Sequence, residues 1–291
     1  MGALQFRDLT EAFGAEVIGF TPEVPLDERT LSELRRAFDD RGVLVFRGLD
    51  VDQPFQNYLA HALVGEEVPA TPPRGPDDGE NRTYMFVSNR EPQGGAPYGR
   101  LLFHCDTMWT ENQYQSLSLY GIEVEEPSTP TLFVSMAHGW DTLPDDLKAR
   151  VEGLSAVQGH TEVYANRGAD DDVIDAVFAD SVSLTTPVAR RHPRTGRTLL
   201  YVSQQVTLEI ADLDTEENEE LLEKLFAHLY DPSTVYAHDW KTGDLVIWDN
   251  VAIQHARPNV ELEGPVRTLR KVYAPIPAVI GAGLRPGFSK V

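Results

Sequence analysis

Short β-branched and aromatic segments bounded by turn residues recur through the middle and end of this chain. They constrain its fold more than any other feature. Tyr84–Ser88, Ser116–Val124, Thr131–Met136, Thr198–Ser203, Asp244–Trp248 and Arg267–Ala274 each read as a strand. Ala15–Phe20 reads as another, and the unbroken apolar run Val43–Phe46 reads as a buried one. Helices are few. Asp27–Asp40 sets Leu31, Leu34 and Phe38 on one face before a stop at Gly42, and Asp52–Val64 is a second candidate. Pro144–Glu152 and Glu216–Leu229 complete the set, the last with a stripe of core leucines. The pattern predicts a mostly β chain with flanking helices around a double-stranded β-helix, or jelly-roll, core.

No G-x-G-x-x-G, P-loop, G-x-S-x-G, C-x-x-C or H-E-x-x-H occurs, so nucleotide, serine-hydrolase and zincin chemistries lack their usual handles. A single domain over 1–291 is expected, with segments 69–81 and 88–100 as lid loops rather than boundaries. The balance of 25 basic against 46 acidic residues, net −21, opposes binding to nucleic acid or an anionic membrane. A few arginines inside an acidic shell remain suited to one small anion. Cys105 is the only cysteine, which precludes an intrachain disulfide. The start MGALQFRDLT lacks the pattern of a signal peptide, and no apolar run is long enough for a membrane span. The expected location is cytoplasmic.

The strongest chemical signal is Phe103-His104-Cys105-Asp106. On an extended segment, residues two apart share a face, so His104 and Asp106 converge while Cys105 points away. Two imidazoles and a carboxylate make the facial triad of non-haem iron oxygenases, which leaves positions open for a co-substrate and O2. The pair alone is weak, because His160-Thr161-Glu162 repeats its spacing. Context comes from the second half. There Gly243–Asn250 reads as a turn, an apolar strand and a polar end, and His255 follows before Arg257-Pro258 breaks the pattern. In the next strand, period-2 alternation puts Arg267, Leu269 and Lys271 on one face and Thr268 and Arg270 on the other. Arg267 and Lys271 thus aim two cations at one pocket, and an arginine there suits a dicarboxylate co-substrate.

Across almost its whole length the chain resembles the TauD/TfdA (taurine dioxygenase-like) family of Fe(II)/2-oxoglutarate-dependent dioxygenases. The resemblance rests on GAEVIGF near the start, RGVLVFRG at 41–48, FHCD at 103–106 and HPRTGRTLLYVS at 192–203. It continues through WKTGDLVIWDNVAIQHAR at 240–257 and VRTLR at 266–270. It implies that His104, Asp106 and His255 bind the iron, and that Arg267 and Thr131 bind the distal carboxylate of 2-oxoglutarate. Lys271 falls where some members carry an arginine for the substrate's anionic group; lysine keeps the charge and loses the bidentate fork. Phe103 replaces a tryptophan common in the family, an apolar exchange that spares the metal.

The implied reaction consumes Fe(II)-bound 2-oxoglutarate and O2, releases succinate and CO2, and hydroxylates, desaturates or cyclises a small organic substrate. Asp106 keeps the carboxylate that halogenases of this type replace, so no halogenation is expected. The substrate is expected to be anionic or amino-acid-like, with Asn89, Arg100, Trp109 and Lys271 as candidate contacts; the resemblance is compatible with a homo-oligomer. Two other classes fit the residues: a cupin-like metal-dependent hydrolase or isomerase, and a non-catalytic small-molecule binding protein on the same roll.

Overall fold

The computed structural model describes residues 4–68, 84–91, 94–159 and 183–275. The expected lid 69–81 and the His160–Glu162 pair lie outside them. The chain opens with β1 (Gln5–Asp8), β2 (Ala15–Ile18), α1 (Glu28–Arg41), β3 (Val43–Phe46) and α2 (Gln53–Val64). Then come β4 (Met85–Ser88), β5 (Gly99–His104), β6 (Ser116–Val124), β7 (Thr131–Ser135), α3 (Met136–Thr142), α4 (Asp145–Val151) and β8 (Ser155–Gly159). The remainder holds β9 (Ser183–Pro187), β10 (Ala189–Arg191), β11 (Thr198–Leu200), β12 (Thr207–Ile210), α5 (Thr215–Leu229), β13 (Tyr236–His238), β14 (Leu245–Asp249), β15 (Ile253–Val260) and β16 (Arg267–Ala274).

A seven-stranded sheet, ordered β1-β2-β3-β14-β6-β16-β4, faces a four-stranded sheet ordered β13-β7-β15-β5. This is the double-sheet roll expected, with β2–β3 as a parallel pair in the larger sheet. Period-2 alternation sorts its side chains. Leu44, Phe46, Leu245 and Ile247 pack beneath α1 and α2, whereas Val43, Val45, Val246 and Trp248 point to the space between the sheets. Both faces are covered, which is why these strands read as unbroken apolar runs. A third cluster, with Leu221, Leu222, Leu225 and Leu229 of α5, covers the outer face of the smaller sheet. Asp27, Asp52 and Asp214 cap α1, α2 and α5, each side chain accepting a backbone N–H of the first turn. Gly42 ends α1 at φ 70°, and a Cβ there would meet Ile253 Cδ1 at 2.8 Å.

Three expectations need correction. The segment expected as a strand over Thr198–Ser203 is a strand only to Leu200, because its partner β10 supplies three residues. One further bond continues that register, Tyr201 N–H to the Val188 carbonyl at 2.8 Å, and then the backbone departs, Ser203 N–H going to Thr207 Oγ1 at 2.7 Å. Met136 starts a helix rather than ending a strand, with Ser135 as its cap. Arg257-Pro258 does not stop β15. Pairing to β7 ends at Ala256 and the register to β5 shifts between Arg257 and Val260, so the missing N–H of Pro258 falls in an irregular stretch.

Candidate metal centre

β5 and β15 are antiparallel neighbours, and their register sets His104 directly opposite His255. Opposed residues of an antiparallel pair project to one side of the sheet. The two rings lie 4.2 Å apart between centroids. Asp106, two residues past the first histidine, brings Oδ1 to 3.5 Å from His104 Nε2 and 3.6 Å from His255 Nε2. One ligand atom from each of the three residues lies within 4.8 Å of the others. Cys105 points away, its thiol against the Ile253 carbonyl at 3.4 Å.

The protonation pattern suits a divalent cation. His104 Nδ1 lies 2.7 Å from the Leu102 carbonyl, an acceptor only, so Nδ1 carries the hydrogen and Nε2 offers its lone pair. Burial, joined by the nearby His104, pushes His255 well below the ordinary histidine value and keeps it neutral. Burial alone would raise Asp106, but Lys271, His104 and His255 overcome it and hold the carboxyl ionised. Its two oxygens are divided: Oδ1 faces the histidines and Oδ2 accepts from Lys271 Nζ.

The loop carrying Asp106 is pinned by Asn250, which follows the last residue of β14. Asn250 Oδ1 accepts the Asp106 N–H at 3.0 Å, while Nδ2 donates to the carbonyls of Asp106 at 2.8 Å and Tyr114 at 2.9 Å. One donor and two acceptors around the amide fix which way it points. The preceding Asp249 faces elsewhere, pairing with His192 at 3.1 Å and with Arg194, which also holds Asp39 of α1. Sequence reasoning missed Asn250. Its only signal was a polar residue at the end of an apolar strand.

A second polar cluster lies along β16. Arg267 is 4% exposed; its Nε donates to the Thr129 carbonyl at 3.0 Å and Nη2 to Thr131 Oγ1 at 3.1 Å. Arg257 is equally buried and binds the carbonyls of Ala96, Tyr98 and Gly99 at 2.7 to 3.0 Å. Among the described residues no carboxylate pairs with either guanidinium, and burial pulls both below the ordinary arginine value, Arg257 to about 10. Two desolvated cations without a counter-ion make this end of the roll ready for an anion.

The remaining candidates separate. Lys271 stands at the triad. Asn89 does not: its amide is spent on the backbone, accepting Arg267 N–H and donating to the carbonyls of Glu261 and Pro265. Trp109 packs against the cluster outside the smaller sheet. Arg100, on β5, keeps Nε and Nη2 buried without hydrogen-bond partners among the described residues. Next to the triad, Tyr114 stacks on Tyr273 at 4.5 Å, two residues beyond Lys271 on the same face of β16. Sequence reasoning had not named this pair.

A jelly roll that gathers two imidazoles and one carboxylate, with a buried arginine and threonine on the same roll, defines the class of non-haem iron oxygenases with a facial triad. The family described as "Taurine catabolism dioxygenase TauD, TfdA family" matches residues 5–273, and the chain belongs to it. It is 28% identical over 269 residues to pentalenolactone F synthase of Streptomyces avermitilis, covering 84% of this chain and 86% of that one. To the alpha-ketoglutarate-dependent 2,4-dichlorophenoxyacetate dioxygenase of Cupriavidus pinatubonensis it is 26% identical over 260 residues, covering 84% and 88%. Among solved structures, a taurine dioxygenase from Burkholderia xenovorans superposes with a TM-score of 0.74 at 22% identity, over 94% of this chain and 90% of that one. AAD-2 in complex with Mn(II) and N-oxalylglycine superposes at 0.72 with 25% identity, over 96% and 100%. The chain is accordingly a 2-oxoglutarate-dependent non-haem iron dioxygenase that uses Fe(II), 2-oxoglutarate and O2.

Proposed function

We propose that His104, Asp106 and His255 hold the Fe(II), and that Arg267 and Thr131 grip the distal carboxylate of 2-oxoglutarate. The observation that carries this reading is the pairing of two sites. A ligand set within 4.8 Å stands on the same roll as a buried Arg267 that no carboxylate neutralises among the described residues. Bound iron supplies the coupled oxidation in which 2-oxoglutarate, O2 and substrate C–H become succinate, CO2 and a hydroxylated product.

The protein's own groups do the positioning. Asp106 presents one oxygen toward the histidines while Lys271 occupies the other, so Asp106 would offer a bound iron a single oxygen. An ammonium has three donors. With one on Asp106, Lys271 keeps two for an acceptor oxygen of the substrate. The substrate is a small organic molecule, and Lys271 favours one bearing a carboxylate or a comparable oxygen-rich group. Relatives named for phenoxyacetate and phenoxypropionate oxidation support that class. Arg267, desolvated between the sheets, attracts an anion more strongly than it would in water.

The test is a substrate panel with Fe(II), 2-oxoglutarate and O2, read by the mass of the product alongside succinate. A product heavier by one oxygen is expected, and His255→Ala should abolish iron-dependent succinate formation. Undiminished succinate without His255 would overturn the site.

A further inference from the structure

Trp240, between β13 and β14, is 1% exposed and belongs to the core between the sheets. Packing alone does not account for its indole N–H, which donates to Thr131 Oγ1 at 2.9 Å. Arg267 Nη2 donates to the same oxygen at 3.1 Å, and the Arg267 guanidinium carbon lies 6.0 Å from the Trp240 ring centroid. His238 packs edge-on against the indole with centroids 4.5 Å apart, which restrains the ring.

A hydroxyl has one hydrogen and two lone pairs. Two N–H donors occupy both lone pairs of Thr131, so its hydrogen is left to the one remaining direction. The threonine is therefore committed to donating, which is what an incoming carboxylate requires. Without the indole N–H a lone pair is free, the rotor is released, and the hydroxyl can turn to other acceptors. We propose that Trp240 is a positioning residue for the co-substrate: it presets Thr131 as a hydrogen-bond donor and braces Arg267 beside it. This rests on the reading that Thr131 and Arg267 hold the distal carboxylate of 2-oxoglutarate.

The experiment is a double-mutant cycle on the Mn(II)-loaded full chain, with the dissociation constants of 2-oxoglutarate and N-oxalylglycine measured by calorimetry. Trp240→Phe should weaken both ligands about fivefold, Thr131→Val at least as much, and the double variant no more than Thr131→Val alone. Mn(II) affinity should be unchanged throughout, because the triad is untouched. A Trp240→Phe protein that binds both ligands as tightly as the native chain overturns the inference, and so does an effect that persists undiminished on the Thr131→Val background. Loss of Mn(II) binding with Trp240→Phe would reduce Trp240 to packing and likewise overturn it. Native affinity in Thr131→Val would instead sink the reading of the carboxylate site. If the phenylalanine variant misfolds, benzothienylalanine at position 240 keeps the ring's size without the N–H, and the same cycle is run with it.

Discussion

Exchanging Asn250 for aspartate changes one atom group and asks how firmly the iron carboxylate is held. The new carboxylate would keep an oxygen for the Asp106 N–H. The two donations from Nδ2, to the carbonyls of Asp106 at 2.8 Å and Tyr114 at 2.9 Å, would become oxygen facing oxygen. Asn250 is fully buried, so water does not replace the lost partners. The Asp106 carbonyl keeps a donor in Thr107 Oγ1 at 2.7 Å, so the loss falls on the Tyr114 carbonyl, at about 1–3 kcal/mol. The loop that aims Asp106 would loosen as well, and changes of this kind typically weaken a metal roughly 10–100-fold. Urea unfolding of the metal-free chain and titration with Mn(II) measure the two quantities separately. Asn250→Ala lacks the added charge and should fall in the same direction in both assays. If Asn250→Asp matches the native chain in stability and Mn(II) affinity, the clip on Asp106 contributes nothing and the reasoning is wrong.

Lys271→Met removes a charge-assisted hydrogen bond from the partly buried Asp106 carboxylate, at a cost of about 1.5–3 kcal/mol in the metal-free chain. Mn(II) supplies the missing charge, so the rise in Tm on adding metal should exceed that of the native chain; equal rises would refute the pairing. Acid should destabilise the fold through Asp249. Burial would raise its carboxyl, but His192 and Arg194 more than offset this and hold it below the ordinary value. A depressed carboxylate stabilises the fold above its unfolded pKa and loses that contribution as pH falls through the folded one, so stability should decline between about pH 5 and pH 2. Asp249→Asn should flatten that acid limb in urea unfolding, and an unchanged slope would count against the network.

Strands with a strong local pattern were legible in the sequence. Val43–Phe46, Ser116–Val124 and Arg267–Ala274 begin and end where apolar runs and turn residues put them. The face assignment of β16 was legible too, because period 2 is local: Leu269 packs between the sheets while Arg270 reaches Gln56 of α2 at 2.7 Å. Partnership was not legible. Arg257 and Asn89 take their roles from backbone groups far away in sequence, which no periodicity records. Asn89 looked like a loop residue beside a substrate and instead braces the first residue of β16. Trp109 looked like a pocket wall because it is near Asp106 in sequence, whereas the turn after Asp106 carries it to the opposite side of the smaller sheet. Asn250 and Trp240 were hidden for the same reason, since their hydrogen-bonding atoms meet partners more than 100 residues away in sequence.

β16 bears Arg267 and Lys271 four residues apart on one face, hydrogen-bonded on one side to β6 and on the other to β4. At ~3.3 Å per residue the two positions lie about 13 Å apart along the strand, which pairs with β4 from Thr268 to Lys271 and with β6 across one register shift. The strand is thus a calliper. On the proposed assignment, one jaw closes on the far carboxylate of the co-substrate and the other stands at the iron ligand. A 2-oxo diacid one methylene shorter or longer would mismatch an opening that no single side chain sets. Choice of co-substrate length then resides in the ladder of the sheet, where a point substitution has little leverage to retune it.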